Sequence, residues 1–597
     1  MKTSPEPAGA SRVEGEQAYQ ESVLALMQLK SVLYGSRVAL SLKEEGCWKE
    51  LTYAELSRGA KDLSDHLIRK GFRRGERIAI LSESRPEWGV AFFAAIRSGA
   101  IVVPLDTKWT PAELASILSD AEPRLLFVSS QFVETARALK TQLPFLEEVI
   151  LLHGGPQATG LGIKSSDPAE FPTIDRLRAR GDDAVPPLQG KDREMDETAL
   201  IVYTSGTTGS PKGVMISFRN LISQIRSFEA LLGLSSQDLF LSMLPLNHLL
   251  ELTVGFLGVL YAGGRICYSR TLYPQEITEI MRERGVSLVI TVPLFLKMLK
   301  GCIEKEVRRS GILGERLFHM AFGLARWIPG RLMKKLLFRR IHRQFGGRLR
   351  AFISGGAPLE GEVAEFFDRL GFPIYQGYGL TETSPVISVN TPEHNRLGSV
   401  GRPLSGVRVR ILSEEGKGGE GEILTQGPHV MKGYYKREDL TREVLDAEGW
   451  LHTGDLGRID EDGFLYLTGR VKNLIVLGGG KKVHPEEVEA ALARSSVLKE
   501  VCVIGKLSQE GPMRGTEEVW AVVVPSEALV QSGRGNPEAL KGEIQRDMDR
   551  LLRDLAPYKR PSRIFISFEE LPKTATRKIK RGLVLQGLEG REGLFLP

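Results

Sequence analysis

At 597 residues the chain is longer than one hydrophobic core serves, so two or more domains are expected. Hydrophobic and charged contents of 42% and 26% are those of an ordinary soluble globular protein, and the longest apolar stretch, 252–264, is too short to span a bilayer. The four cysteines (Cys47, Cys267, Cys302, Cys502) are scattered without CxxC or Cys/His ligand spacing, which excludes a disulfide framework and a zinc site.

Residues 1–20 are polar and lack the apolar core of a secretory signal, so a cytoplasmic location is expected, with peripheral attachment to a membrane surface as the alternative. Residues 48–56 read as a strand end followed by a helix capped by Thr52, with Glu55 three positions on completing a capping box. Residues 77–81, 100–104 and 125–128 read as short buried strands, with a helix carrying Trp88 to Arg97 between the first two. This alternation predicts βαβ units and a mostly parallel sheet. The apolar run 199–202 reads as a further strand and delivers the most informative stretch of the chain. Between Tyr203 and Val214 lie three glycines (Gly206, Gly209, Gly213), five hydroxyls (Thr204, Ser205, Thr207, Thr208, Ser210) and Lys212. Glycines permit backbone approach to a ligand, and hydroxyls, N–H groups and a lysine together suit an anion. This is a phosphate loop, but not the Walker kind, because Pro211 breaks the GxxxxGK[ST] spacing.

Strands return at 288–292 and 351–354. The formal net charge is only +6, yet between Gly301 and Arg350 stand 13 Lys/Arg against 3 Asp/Glu. Within that stretch Met333, Leu337, Ile341 and Phe345 recur every four residues, as do Arg331, Lys335, Arg339 and Arg343. On one helix these rows form different faces, an amphipathic element over 331–345 suited either to an anionic membrane or to packing on its own domain. No nucleic-acid recognition motif accompanies the charge. Short alternating runs between Gly-rich turns follow over 401–463. After Lys472 come a strand at 474–477, Gly478–Gly480, and helices beginning at Pro485 and Pro537.

Several ordered motifs resemble those of the adenylate-forming superfamily, which holds acyl-CoA synthetases, luciferases and peptide-synthetase adenylation domains. They are the 203–214 loop, Leu244–His248, Ser354–Pro358, Tyr375–Thr383, Trp450–Asp455, Gly469–Asn473 and Leu571–Lys580. The likeness implies an α/β fold. A large N-terminal domain, 1–471, would hold parallel-sheet subdomains plus a small β-barrel at about 400–470. A small mobile α+β domain, 472–597, would close on Lys472 as hinge.

The same resemblance implies roles. Thr204, Ser205, Gly206, Thr207, Thr208, Gly209 and Lys212 would hold the β- and γ-phosphates of ATP, and Gly356, Ala357 and Pro358 would contact adenine. Gln376, Gly377, Tyr378, Gly379 and Thr381 would line the nucleotide, with Thr381 on the α-phosphate. Glu382, with Thr204, would bind Mg²⁺, and His248 would border the acyl group. Asp455 and Arg470 would take the ribose, and Lys578 would bridge carboxylate and α-phosphate. Gly479 and Gly480 would meet the thiol of coenzyme A. Arg577 departs from the pattern, since the family commonly has glycine there.

The segment between Pro293 and Phe352 resembles the long-chain fatty-acyl-CoA synthetase branch. The reaction implied is fatty acid plus ATP to acyl-adenylate and pyrophosphate, then coenzyme A to acyl-CoA and AMP. The rivals are a ligase that loads an acyl-carrier protein and a non-catalytic lipid- or nucleotide-binding relative. The oligomeric state stays open, a homodimer being one option.

Overall fold

The computed structural model describes residues 23–153, 171–178, 195–204, 211–413, 419–477, 481–508, 516–532, 537–573 and 579–590. It divides into two compact units, one running to Arg408 and taking in Gln426–Gly449, the other formed by Val409–Thr425 and the chain from Trp450 onward.

The first unit is built on two mixed sheets. The seven-stranded sheet has parallel Glu148–Leu151, Leu125–Val128, Arg77–Leu81, Ile101–Leu105 and Thr198–Thr204, then antiparallel Lys212–Ser217 and Gly433–Tyr434. The nine-stranded sheet has a parallel core of Val38–Glu44, Arg265–Tyr268, Leu239–Ser242, Leu288–Thr291, Ala351–Ser354 and Ile374–Tyr378, with antiparallel strands at both edges. The strands of the parallel cores are almost wholly apolar because helices cover both faces.

Local chemistry places the helices. Thr52 and Glu55 form the expected capping box for Tyr53–Arg69. Ser217 caps Phe218–Leu232 through Asn220, and Gly233 ends it in the left-handed region. Helix Pro86–Arg97 is buried on nearly every side. Its Trp88 stacks on Phe92 and meets the edge of Phe256, which belongs to Leu250–Gly258 beside the other sheet. That last segment winds as a π-helix, and the apolar stretch it begins is buried as the sequence suggests.

The crossover between strands Leu288–Thr291 and Ala351–Ser354 is long and carries helices Pro293–Arg309, Gly311–Leu324, Arg331–Leu337 and Arg339–Gln344. The single amphipathic helix expected over 331–345 is therefore corrected to two short helices broken at Phe338. Each of its two rows is also partly engaged within the fold. Arg331 donates to the carbonyls of Gly371 and Leu349, at 3.3 and 3.0 Å, and Lys335 donates to that of Gly347 at 2.8 Å. Phe345 is buried and Ile341 packs on the same core. Arg339, Arg343, Met333 and Leu337 of the same rows remain exposed.

In the second unit, where a small β-barrel was expected, Arg408–Leu412, Gly421–Gln426, Leu451–Ile459 and Leu465–Arg470 form a four-stranded sheet whose end strands do not pair with each other. Beyond it, Leu498–Leu507, Glu517–Pro525 and Arg563–Ile566 make a three-stranded sheet. Helices Pro485–Leu492 and Pro537–Leu551 pack on it through Val488, Leu492, Leu540, Ile544 and Met548. Among the described residues no helix is long and apolar enough to cross a membrane.

Candidate active site

The glycine-and-hydroxyl stretch connects two antiparallel strands. Thr204 ends one, Lys212 begins the other, and the two are cross-strand partners, as are Tyr203 and Gly213. Gly213 is required by that pairing, since a Cβ there would lie 2.8 Å from Ile201 Cγ2 and 3.1 Å from the Tyr203 ring. Residues 205–210, with the expected contacts Ser205, Gly206, Thr207, Thr208 and Gly209, lie outside the described residues.

Beside this hairpin stands a constellation that brings two of the expected residues together. Strand Gly433–Tyr434 pairs with the hairpin's second strand, so Tyr434 lies opposite Val214. The Lys212 ammonium sits 5.2 Å from the centre of the Tyr434 ring. The Tyr434 hydroxyl donates to Glu382 Oε1 at 2.9 Å. Burial, then the Glu382 charge, push the phenol well above its ordinary pKa, so it stays a donor. Asn220 fastens the approach to this strand by donating to the carbonyls of Pro428 and Val430, at 2.7 and 2.8 Å.

The other expected residues of this unit follow from strand direction. Parallel strands place their C-terminal ends along one edge, where open α/β sheets bind ligands. From that edge emerge Leu239–Ser242, continuing to His248; Ala351–Ser354, continuing to Gly355–Pro358; and Ile374–Tyr378, continuing to Glu382. Gly356 has φ +82°, and Gly356, Ala357 and Pro358 are exposed. Gly355 is glycine for another reason, because a Cβ would sit 3.0 Å from Leu250 Cδ2. Leu250 begins the π-helix, two residues after the half-buried His248.

Gln376 and Gly377 are half-buried and Tyr378 buried. A Cβ on Gly379 would collide with the Pro385 carbonyl oxygen, so only glycine lets the chain double back there. The fully buried Thr383 accepts from Leu380 N at 2.9 Å and fixes the turn Thr381–Thr383, leaving Thr381 and Glu382 partly exposed.

The second unit holds its own expected set. Asp455 and Arg470 face one another on neighbouring strands, and Arg470 Nε lies 2.8 Å from Asp455 Oδ1. Gly454, at φ +68°, precedes Asp455 and donates its N–H to Glu422 Oε1 at 3.0 Å, while Glu422 Oε2 meets His452 Nδ1 at 3.0 Å. Lys472 is exposed in the turn Val471–Asn473.

Gly479, Gly480 and Lys578 lie outside the described residues. The described residues that flank Lys578's segment, Lys573 and Ile579, form an antiparallel bridge. Lys573 is ion-paired to Glu500, and Arg581 to Glu489 and, at 3.4 Å, to Glu486. Burial pushes the Glu489 carboxyl up against the pull of Arg581.

Among the described residues no group of three His, Cys, Asp or Glu side chains gathers to hold a metal ion. One partly exposed carboxylate, aimed by a tyrosine beside a lysine, suits Mg²⁺ held jointly with phosphate oxygens.

The profile of AMP-binding enzymes matches residues 31–435, and that of the AMP-binding enzyme C-terminal domain matches 487–578. The chain belongs to the AMP-binding enzyme family. Within this family it is 32% identical over 484 residues to the long-chain-fatty-acid–CoA ligase FadD15 of Mycobacterium bovis, covering 77% of this chain and 76% of that one. It is 29% identical over 574 residues to the chloroplastic long-chain-fatty-acid–[acyl-carrier-protein] ligase AEE15 of Arabidopsis thaliana, covering 86% and 77%. Among solved structures, o-succinylbenzoate CoA synthetase (MenE) of Bacillus subtilis with its acyl-adenylate OSB-AMP superposes with a TM-score of 0.71 at 26% identity, over 94% of this chain and 97% of that one. The same enzyme with ATP and magnesium ion gives 0.69 at 26%, over 93% and 98%. The expected family and α/β fold are thus met.

Two residues of this AMP-binding enzyme escaped the sequence reading. Tyr434 is 52 positions from Glu382 in the chain and reaches it only through a strand pairing. Glu422 looks like any polar residue of an alternating strand until the Gly454 turn lies against it. The run Gly433-Tyr434-Tyr435, glycine followed by two aromatics, was the one signal available for Tyr434.

Proposed function

We propose that this enzyme is an ATP- and Mg²⁺-dependent ligase that joins a medium- to long-chain fatty acid to coenzyme A in two steps. In the first, a carboxylate oxygen attacks the α-phosphorus, the bond from that phosphorus to the bridging oxygen breaks, and pyrophosphate leaves with the electron pair. In the second, the thiol gives up its proton, its sulfur attacks the acyl carbon, and AMP departs as the C–O bond breaks.

The protein supplies position and charge. Thr204, Ser205, Gly206, Thr207, Thr208, Gly209 and Lys212 hold the β- and γ-phosphates, and Thr381 holds the α-phosphate. Gly356, Ala357, Pro358, Gln376, Gly377, Tyr378 and Gly379 border adenine and acyl carboxylate, with His248 against the acyl group. Glu382, aimed by Tyr434, and Thr204 hold Mg²⁺, which when bound neutralises charge on phosphate oxygens. Asp455 accepts from the ribose hydroxyls with Arg470 alongside. Lys578 stabilises the charge shared between carboxylate and α-phosphate. Lys472 is the hinge between 1–471 and 472–597, and its turning exchanges Lys578 for Gly479 and Gly480 at the second step.

The observation that carries this reading is the Lys212–Tyr434–Glu382 constellation next to the glycine hairpin. It joins a cation for phosphate to an oriented carboxylate for a hard metal. The test is pyrophosphate release over a panel of acids from acetate to stearate with aromatic acids included. Release with fatty acids and AMP formation dependent on free coenzyme A are expected. Silence with every acid refutes the reading.

The likeness to AEE15 over most of the chain favours one second reading, transfer to an acyl-carrier protein. AMP formation with carrier protein and none with free coenzyme A would establish it.

A further inference from the structure

The long crossover leaves an apolar surface in water. On helix Gly311–Leu324, Phe318, Ala321 and Phe322 face the core. Leu317, Met320 and Leu324, spaced three and four apart, form a separate row that is 52–68% exposed. Trp327 follows at 78% and Leu332 and Leu336 on the next helix at 77% and 68%. Scattered exposed leucines need no explanation, but a run this dense marks an interaction surface.

Charge accompanies it. Arg316 on the first of these helices, Arg326 in the connection, and Arg339, Arg340 and Arg343 on the following helix Arg339–Gln344 are all exposed. The Arg326 guanidinium lies 5.8 Å from the Trp327 ring. These differ from Arg331 and Lys335, which the fold uses internally.

We propose that the outward face of Gly311–Leu324, Trp327 and Arg331–Leu337 docks on an anionic lipid bilayer. Protruding aliphatic side chains, an exposed tryptophan and a set of arginines match the apolar interior, the interface and the head groups in turn. A second copy of the chain would carry the same positive charge and repel it. The choice of lipid over an acidic protein rests on the fatty-acid reading above, because that substrate dissolves in membranes. The crossover bearing the face ends in strand Ala351–Ser354, which carries the Gly355–Pro358 turn. The docked element and that turn are therefore joined through helix Arg339–Gln344 and the strand itself.

The test uses the full-length protein, sedimented with phosphatidylcholine vesicles with and without phosphatidylglycerol. Binding that needs the anionic lipid and falls with salt is expected. Leu317→Glu with Leu332→Glu should lower partitioning at least about tenfold, and Arg316, Arg339, Arg340 and Arg343→Glu together on the order of 100-fold. Both variants should keep the parent's circular dichroism and its pyrophosphate release with a soluble short acid. Vesicle binding unchanged in both variants overturns the proposal. So does a change from dimer to monomer in light scattering without loss of vesicle binding, or loss of binding only to an acyl-carrier protein. A protein that releases pyrophosphate but ignores vesicles refutes this inference alone. One that binds vesicles but releases none with any acid refutes the function and leaves the surface standing.

Discussion

Glu251 offers a sharp test of how this fold handles a buried charge. The side chain is fully buried on the π-helix, and a Cβ on Gly255 would lie 3.0 Å from its Oε1, so that glycine makes room for the carboxyl. Neither oxygen has a hydrogen-bond partner among the described residues. Burial pushes the group up to about 8, with the nearby Ser242 hydroxyl, outside hydrogen-bonding geometry, pulling the other way. Between 4.5, its ordinary value, and about 8 the folded protein holds a proton that the unfolded chain has released. Stability must then fall as pH rises through that window, by about 1.4 kcal/mol per pH unit and about 5 kcal/mol across it. Near pH 7 the loss is about 3 kcal/mol. Glu251→Gln keeps the volume and removes the titration. Thermal midpoints of variant and parent, followed by differential scanning fluorimetry from pH 5 to 8.5, should nearly coincide at the acid end. The variant should melt progressively higher toward the alkaline end, by several degrees. A midpoint difference that does not change with pH, or a variant less stable throughout, refutes the reasoning.

Four substitutions test the site itself. Lys578→Ala should cut adenylate formation at least about 100-fold while thioester formation from preformed acyl-adenylate survives; equal loss in both assays contradicts its role. Lys472→Pro should leave pyrophosphate release near normal and cripple acyl-CoA formation, which a coupled assay of the two half-reactions resolves. Tyr434→Phe removes one hydrogen bond to a carboxylate and should lower kcat/KM for ATP about tenfold, with a raised Mg²⁺ requirement; an unaltered Mg²⁺ titration argues that Glu382 is not a metal ligand. Asp455→Ala should raise KM for ATP roughly 10- to 100-fold with a smaller change for the fatty acid. A loss confined to the fatty acid would move Asp455 out of the ribose site.

What the sequence revealed was local. The Thr52–Glu55 capping box, the strands at 77–81 and 125–128 and the helix starts at Pro485 and Pro537 depend on residues a few positions apart, and they stand where the pattern puts them. What stayed hidden was long-range. A spacing of four at Arg331, Lys335, Arg339 and Arg343 describes a helix face but not what covers it. Carbonyls at Gly371, Leu349 and Gly347 claim two of those side chains. The apolar row of Leu317, Met320 and Leu324 was equally regular, yet exposure could not be told from burial. Strand alternation at 408–470 looks the same whether the strands close into a ring or stay open. A π-helix leaves no periodic mark over nine residues. Tyr434 and Glu422 each meet their partners, Glu382 and the Gly454 turn, through pairings with other strands.

The bridge between Lys573 and Ile579 has a practical consequence for anyone re-engineering this ligase. It ties together the two residues that flank 574–578, and the ion pairs of Lys573 and Arg581 brace those flanks. Exchanging Arg577 for glycine, or swapping 574–578 as a whole, should register as altered turnover in a protein that still melts like its parent.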